Sequence, residues 1–151
     1  MSASRAIVRR LPFMTLIVVG VIHLLPLSGA LGSSQLQSLY GLTFDDPNTL
    51  ILMRHRAVLF GLVGFFLVYA AFRPAFQSAA FVGGLVSTTS FLWLARVTDG
   101  HNASLGRIVV VDWLALGLLI VGVAGRRYSR SRSQTRPDGR TASRRTHRAS
   151  E

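Results

Sequence analysis

The sequence has no cysteine and no lysine, and only six of its 151 residues are acidic. Without cysteine there is no disulfide framework, thiol nucleophile, iron–sulfur cluster or cysteine-based zinc site. All 17 basic residues are arginine, which reads as a composition bias rather than as chemistry. Charged residues make up 15% of the chain, against ~25% in soluble domains. With half of its residues hydrophobic, a soluble chain of this kind would have to hide helices that are apolar all round, and the bilayer does that without a large core.

What the sequence does have is four long apolar runs, at 11–31, 50–72, 79–95 and 108–124. A span needs ~20 mostly apolar residues to cross a ~30 Å hydrocarbon core. The pattern predicts an all-α integral membrane four-helix bundle over 11–125, a short N-terminus over 1–10, and an Arg/Ser-rich, disordered tail over 126–151. The first run has a rival reading. Arg9-Arg10, an apolar stretch, Pro26 and Ser28-Gly29-Ala30 also match the three regions of a signal peptide, but the stretch runs past the usual ~7–15 residues, so a retained span is preferred.

The net charge of +11 belongs mainly to the tail, which holds more than half of the arginines. Arg5, Arg9 and Arg10 precede the first run, and Arg126 and Arg127 follow the last. The positive-inside rule then puts both termini in the cytoplasm. Pro74 ends the second helix on that side, and the longer loop 32–49 lies outside with the short loop 97–106. Within the long loop, Leu36 and Leu39 among Ser and Gln suit a short interfacial helix. Asp45, Asp46 or Thr49 would cap the helix that follows. The tail's nearest partner is the anionic inner leaflet, at ~1 kcal/mol per basic residue. Nucleic acid is a weaker alternative, since no aromatics are interleaved for stacking.

Ionisable residues inside the spans are the best functional clue, because each costs free energy in lipid. His23, Arg54, His55, Arg56 and Asp112 all fall at one level, the outer half, with Arg96 and Arg107 at the outer ends of their spans. Arg54 and Arg56 point ~200° apart on a helix, so they cannot share a site. Arg54, Ala57, Gly61 and Gly64 form a small-residue stripe, which puts Arg54 on the packing face with Asp112 as its counter-ion and leaves Arg56 to snorkel. A slight rotation would pair Arg56 with Asp112 instead. In the third span, Gly83–Ser87 and Gly84–Thr88 are small-xxx-small pairs whose hydroxyls suit contacts across helices. Gly20 and His23 share a face of the first span, which Pro26 bends.

The bland reading stands beside the functional one: a buried Arg–Asp pair can simply fix helix register, and His23 can be a satisfied core histidine. His101, in Asp99-Gly100-His101-Asn102, reads as turn chemistry. No ligand spacing supports a metal site at His55, His101 and Asp112. Asn102-Ala103-Ser104 matches the glycosylation sequon.

His23-Leu24-Leu25-Pro26-Leu27-Ser28-Gly29, Leu39-Tyr40-Gly41, Asp46-Pro47-Asn48 and the run from Met53 through Arg54, His55 and Arg56 to Gly61 resemble a family of small bacterial four-span inner-membrane proteins. That family is broadly similar in plan to DoxX-like proteins and brings no established activity. The resemblance covers 11–124. Some relatives carry the label phosphopantetheine adenylyltransferase, an activity of a soluble nucleotidyltransferase fold with an HxGH-type motif. Neither the parallel βαβ pattern nor the motif occurs here. DoxX-like proteins are linked to quinone and respiratory partners, which makes quinone a cofactor by analogy of fold alone.

The function expected is therefore non-enzymatic: a lipid-like or quinone-like ligand held in an outer polar pocket by Arg54, Asp112 and His23, or a place as a subunit in a membrane complex or homo-oligomer. A small proton-coupled transporter is the alternative, although no acids in the inner half provide a path across. A membrane enzyme comes third, with no recognisable catalytic arrangement.

Overall fold

A computed structural model of the chain describes residues 3–134, and most of the expected tail lies outside them. Five α-helices follow in order: α1 (Ala3–Leu24), α2 (Ser33–Tyr40), α3 (Pro47–Phe72), α4 (Gln77–Val97) and α5 (Ala103–Gln134), with a 3-10 segment, Leu25–Leu31, between α1 and α2. There is no strand among the described residues. Four segments are long and apolar enough to cross a membrane: Arg10–Leu31, Pro47–Phe72, Gln77–Val97 and Ala103–Tyr128. At 1.5 Å per residue, α3 is about 39 Å long, enough to span the hydrocarbon core with some tilt. The protein is an integral membrane four-helix bundle.

Large apolar side chains cover the outside of the bundle, Leu52, Trp93 and Leu114 among them. Such a surface suits contact with lipid rather than with water. The inside is narrow and built from small residues. Leu16 and Val19 of α1, Leu67, Ala70 and Ala71 of α3, Ala80 and Phe81 of α4, and Ala115 and Leu119 of α5 make one apolar core. That core fills the half of the bundle nearer the chain ends.

Close approach explains the glycines. A Cβ on Gly64 would stand 2.8 Å from the Gly20 carbonyl oxygen, and one on Gly20 3.0 Å from that of Gly64. α1 and α3 therefore cross backbone to backbone. Gly61 makes the same allowance for Leu27 of the 3-10 segment, whose Cδ1 would be 2.6 Å from a Cβ there. In α4 it is Gly84, not Gly83, that serves packing: Gly84 faces Leu119, whereas nothing lies within 4 Å of a Cβ on Gly83. Gly83 is turned to the lipid side. The expectation that it shares the packing face is corrected, because the contact face of α4 runs through Ala80, Gly84 and Thr88.

Local chemistry sets the boundaries. Pro26, in the first turn of the 3-10 segment, lacks an N–H and cannot extend the α1 ladder. Asp46 caps α3: its Oδ2 accepts from the Thr49 N–H at 2.8 Å and from the Thr49 hydroxyl at 2.7 Å. Those bonds, the hydroxyl's first, hold the Asp46 carboxyl below the usual carboxylate range. At the other end of α3, Arg73 leaves the helix in an extended conformation, as the residue before Pro74 must. Past the apolar run, α5 continues through Arg126 and Arg127 to Gln134. The tail thus begins as helix, where the composition alone predicted disorder from residue 126.

Candidate functional site

At the loop end of the bundle the packing opens into a cavity of about 180 Å³. Each spanning helix contributes to it: Ile22 and His23 from α1, Arg56 and Phe60 from α3, Phe91 from α4, and Arg107, Ile108, Val111 and Asp112 from α5. Leu39 and Tyr40 of α2 and Leu25 and Pro26 of the 3-10 segment complete the wall. Most of this lining is apolar, with a few converging polar groups, the usual make-up of a small-molecule site.

α2 is held over this end by a small lock. Gly41 takes the left-handed conformation (φ 65°), ends α2 and donates its N–H to the Gln37 carbonyl. The Asn102 side chain then works in two directions. Its Nδ2 donates to the Tyr40 carbonyl at 2.9 Å, and its Oδ1 accepts from the Leu105 N–H at 2.9 Å, capping α5. The amide of the sequon is thus engaged in joining α2 to α5.

Arg56 is the central cation. Its guanidinium carbon lies 5.0 Å from the ring centre of Phe60, 5.5 Å from that of Tyr40 and 5.9 Å from that of Phe91. Three rings hold one planar cation in place, and cation–π attraction grows as water is excluded. Asp112 lines the same cavity. Burial pushes the Tyr40 phenol above its ordinary pKa, and the nearby Arg56 charge offsets part of that rise.

His23 is buried and fully engaged. Nδ1 lies 2.9 Å from the Val19 carbonyl oxygen and Nε2 3.2 Å from Ser87 Oγ. A carbonyl only accepts, so Nδ1 carries a proton; in the neutral ring, Nε2 accepts from the Ser87 hydroxyl. The Phe60 ring lies 5.8 Å from the imidazole. His23 therefore ties α1 to α4 at the floor of the cavity. The neighbouring hydroxyls mostly bond within α4: Thr89 to Leu85 O at 2.6 Å and Ser90 to Ser87 O at 2.9 Å. The Thr88 hydroxyl is buried with no partner.

The expected site residues divide between two places. His23, Arg56 and Asp112 come together in the cavity. Arg54 and His55 do not; they line a shallow dent on the outer side of α3 with Ala30, Ile51 and Val58. The expected pairing of Arg54 with Asp112 is thus corrected: it is Arg56, not Arg54, that shares the cavity with Asp112. The physical reason is that the stripe of Ala57, Gly61 and Gly64 faces α1 and the 3-10 segment, not α5. Arg54 continues that stripe to its end, where its Nε donates to the Ala30 carbonyl at 2.9 Å and satisfies the last turn of the 3-10 segment. His101 sits beside Gly106, away from both groups, and no metal-binding cluster of His, Asp or Glu forms among the described residues.

Sequence reasoning missed Tyr40, Phe60, Phe91 and Arg107. Tyr40 stood in a loop helix of unknown placement, and the two phenylalanines looked like any apolar residue in a span. Arg107 read as an end marker, and its spacing of five residues from Asp112, ~140° around the helix, gave no sign that the two line one cavity. Comparison with known protein families, curated proteins and solved structures finds no match for this chain.

Proposed function

We propose that the protein binds an amphiphilic small molecule, lipid-like or quinone-like, in the loop-end cavity, and that it performs no chemistry on it. The single observation behind this reading is the Arg56 guanidinium, set among three aromatic rings in an apolar cavity that also holds Asp112. A cation kept inside a membrane bundle is costly. Its retention beside open volume suits a ligand whose polar head meets Arg56 and Asp112 while its apolar part lies against Ile108, Val111 and the phenylalanines. Cavities of about 150 Å³ already hold a six-membered ring, so this one suits a head group or ring rather than a whole lipid.

The proposed orientation puts the chain ends and the 73–76 turn in the cytoplasm, with Arg10, Arg73, Arg126 and Arg127 at that face, as the positive-inside rule requires. The cavity then lies under the outer leaflet, and the arginines after residue 125 meet anionic headgroups on the inner side.

Native mass spectrometry of the detergent-extracted protein, beside an Arg56→Ala/Asp112→Ala variant, tests the binding reading. A discrete adduct on the wild type that is missing from the variant is expected. A bare wild-type protein, or an adduct indifferent to both substitutions, would reduce Arg56 and Asp112 to structural residues.

A further inference from the structure

We propose that the ligand is a monoanionic amphiphile, its negative head held between Arg56 and Arg107 and its tail leaving the bundle past Leu25. This deepens the binding reading above and rests on it.

The first argument is charge. Two guanidiniums, Arg56 and Arg107, and one carboxyl, Asp112, line the cavity, with His23 and Tyr40 as the other titratable groups. Arginine stays protonated at any accessible pH, and Asp112 cancels one positive charge at most. At least one unit of positive charge therefore remains. His23 adds nothing that would cancel it, since its ring is engaged with Val19 and Ser87, and burial keeps the Tyr40 phenol neutral. Arg107 is exposed and Arg56 half-buried, so water meets part of that charge, but a carboxylate or a phosphate diester would accept charge-assisted hydrogen bonds from both guanidiniums, about twice as strong as those a neutral head group makes.

Position is the second. Arg56 is fixed by its three rings on one wall. Arg107 stands on another, at the start of α5, where one of its terminal nitrogens donates to Ser104 Oγ at 3.1 Å and the others remain for a ligand. An anion between them would have donors on two sides. The exit comes from the 3-10 segment. Leu25 lines the cavity and is 60% exposed, so nothing packs over most of its side chain and the cavity is least covered there. The change from α1 to the tighter 3-10 turn at Pro26 puts this place at membrane depth, where an acyl chain belongs.

Competition between oleate and oleyl alcohol, equal in chain and different in head charge, tests the inference by native mass spectrometry of the full chain in a non-ionic detergent. Oleate should occupy the wild type about tenfold or more over the alcohol, as for a hydrogen bond to a charged group. Arg56→Gln should bring the ratio near one, Arg107→Gln should lower it severalfold, and Arg54→Gln, on the outer side of α3, should leave it unchanged. Equal binding of both probes to the wild type would overturn the charge inference while the cavity remains a binding site. Binding of neither would remove the binding reading as well. A preference for oleate that survives both Arg56→Gln and Arg107→Gln would place the head elsewhere and sink the proposal. Because Arg107 is exposed, its variant keeps the test decisive even if Arg56→Gln fails to fold.

Discussion

Arg56 and Phe60 stand one turn apart on the same face of α3, with the guanidinium carbon 5.0 Å from the ring centre. The ring fixes the cation without neutralising it. Phe60→Leu should keep the apolar volume and lose one of the three rings. The expected result is a thermal unfolding midpoint close to wild type, a ligand affinity several-fold weaker, and a lost cation–π contribution of about 1 kcal/mol. An affinity equal to wild type would mean that the ring does not position Arg56.

The crossing of α1 over α3 at Gly20 and Gly64 predicts a sharp contrast between glycines. Gly64→Ala places a Cβ 2.8 Å from a backbone oxygen and should destabilise the bundle by about 1–3 kcal/mol, the usual cost of overpacking. Gly83→Ala, with open space around it, should leave stability at or slightly above wild type, since alanine is the better helix former. Unfolding in mixed micelles, followed by tryptophan fluorescence, separates the two.

His23 and Ser87 tie α1 to α4, and a double-mutant cycle measures that tie. His23→Phe and Ser87→Ala should each lower stability, with a coupling of about 1 kcal/mol between them, the usual net worth of one hydrogen bond. Additive effects would show that the 3.2 Å contact carries no energy.

Tyr40 gives a pH prediction. Its folded pKa is raised, so the folded state keeps a proton that the unfolded chain gives up near pH 10. Stability is full below that value and falls as pH rises through the higher folded pKa. Ultraviolet titration should show a late phenol that is absent in Tyr40→Phe. In Arg56→Gln it should move later still, because the Arg56 charge lowers it.

Asp46 has the opposite sign. Its folded pKa is depressed by the Thr49 bonds, so its contribution is present above pH ~4 and is lost as pH falls through the folded value. Asp46→Ala should lower the unfolding midpoint at neutral pH and flatten its acid slope; a wild-type slope in the variant would assign the acid sensitivity to another carboxylate.

The four spans were legible because lipid demands ~20 apolar residues per crossing, a constraint a sequence states openly. Asp46-Pro47 announced the start of α3 for an equally local reason, a cap acceptor followed by a residue that needs no donor. The level of His23, Arg56 and Asp112 could be read from their depth along each run. Which arginine meets Asp112 could not, because rotation about a helix axis depends on the neighbours, and the stripe through Gly61 and Gly64 identifies a packing face without naming its partner. Gly83 and Gly84 show the same limit: adjacent glycines in one motif, ~100° apart, of which one packs and one meets lipid. Tyr40 joined the site only through the folding of α2 over the bundle, set by Asn102 and Gly41 at long range.

Native mass spectrometry of Arg56→Gln beside Arg54→Gln is the most direct test that Arg56, and not its neighbour two residues away, serves a ligand site. Loss of the wild-type adduct in Arg56→Gln, with the adduct intact in Arg54→Gln, is the expected result. An adduct lost in Arg54→Gln and kept in Arg56→Gln would contradict it and move the site to the outer side of α3.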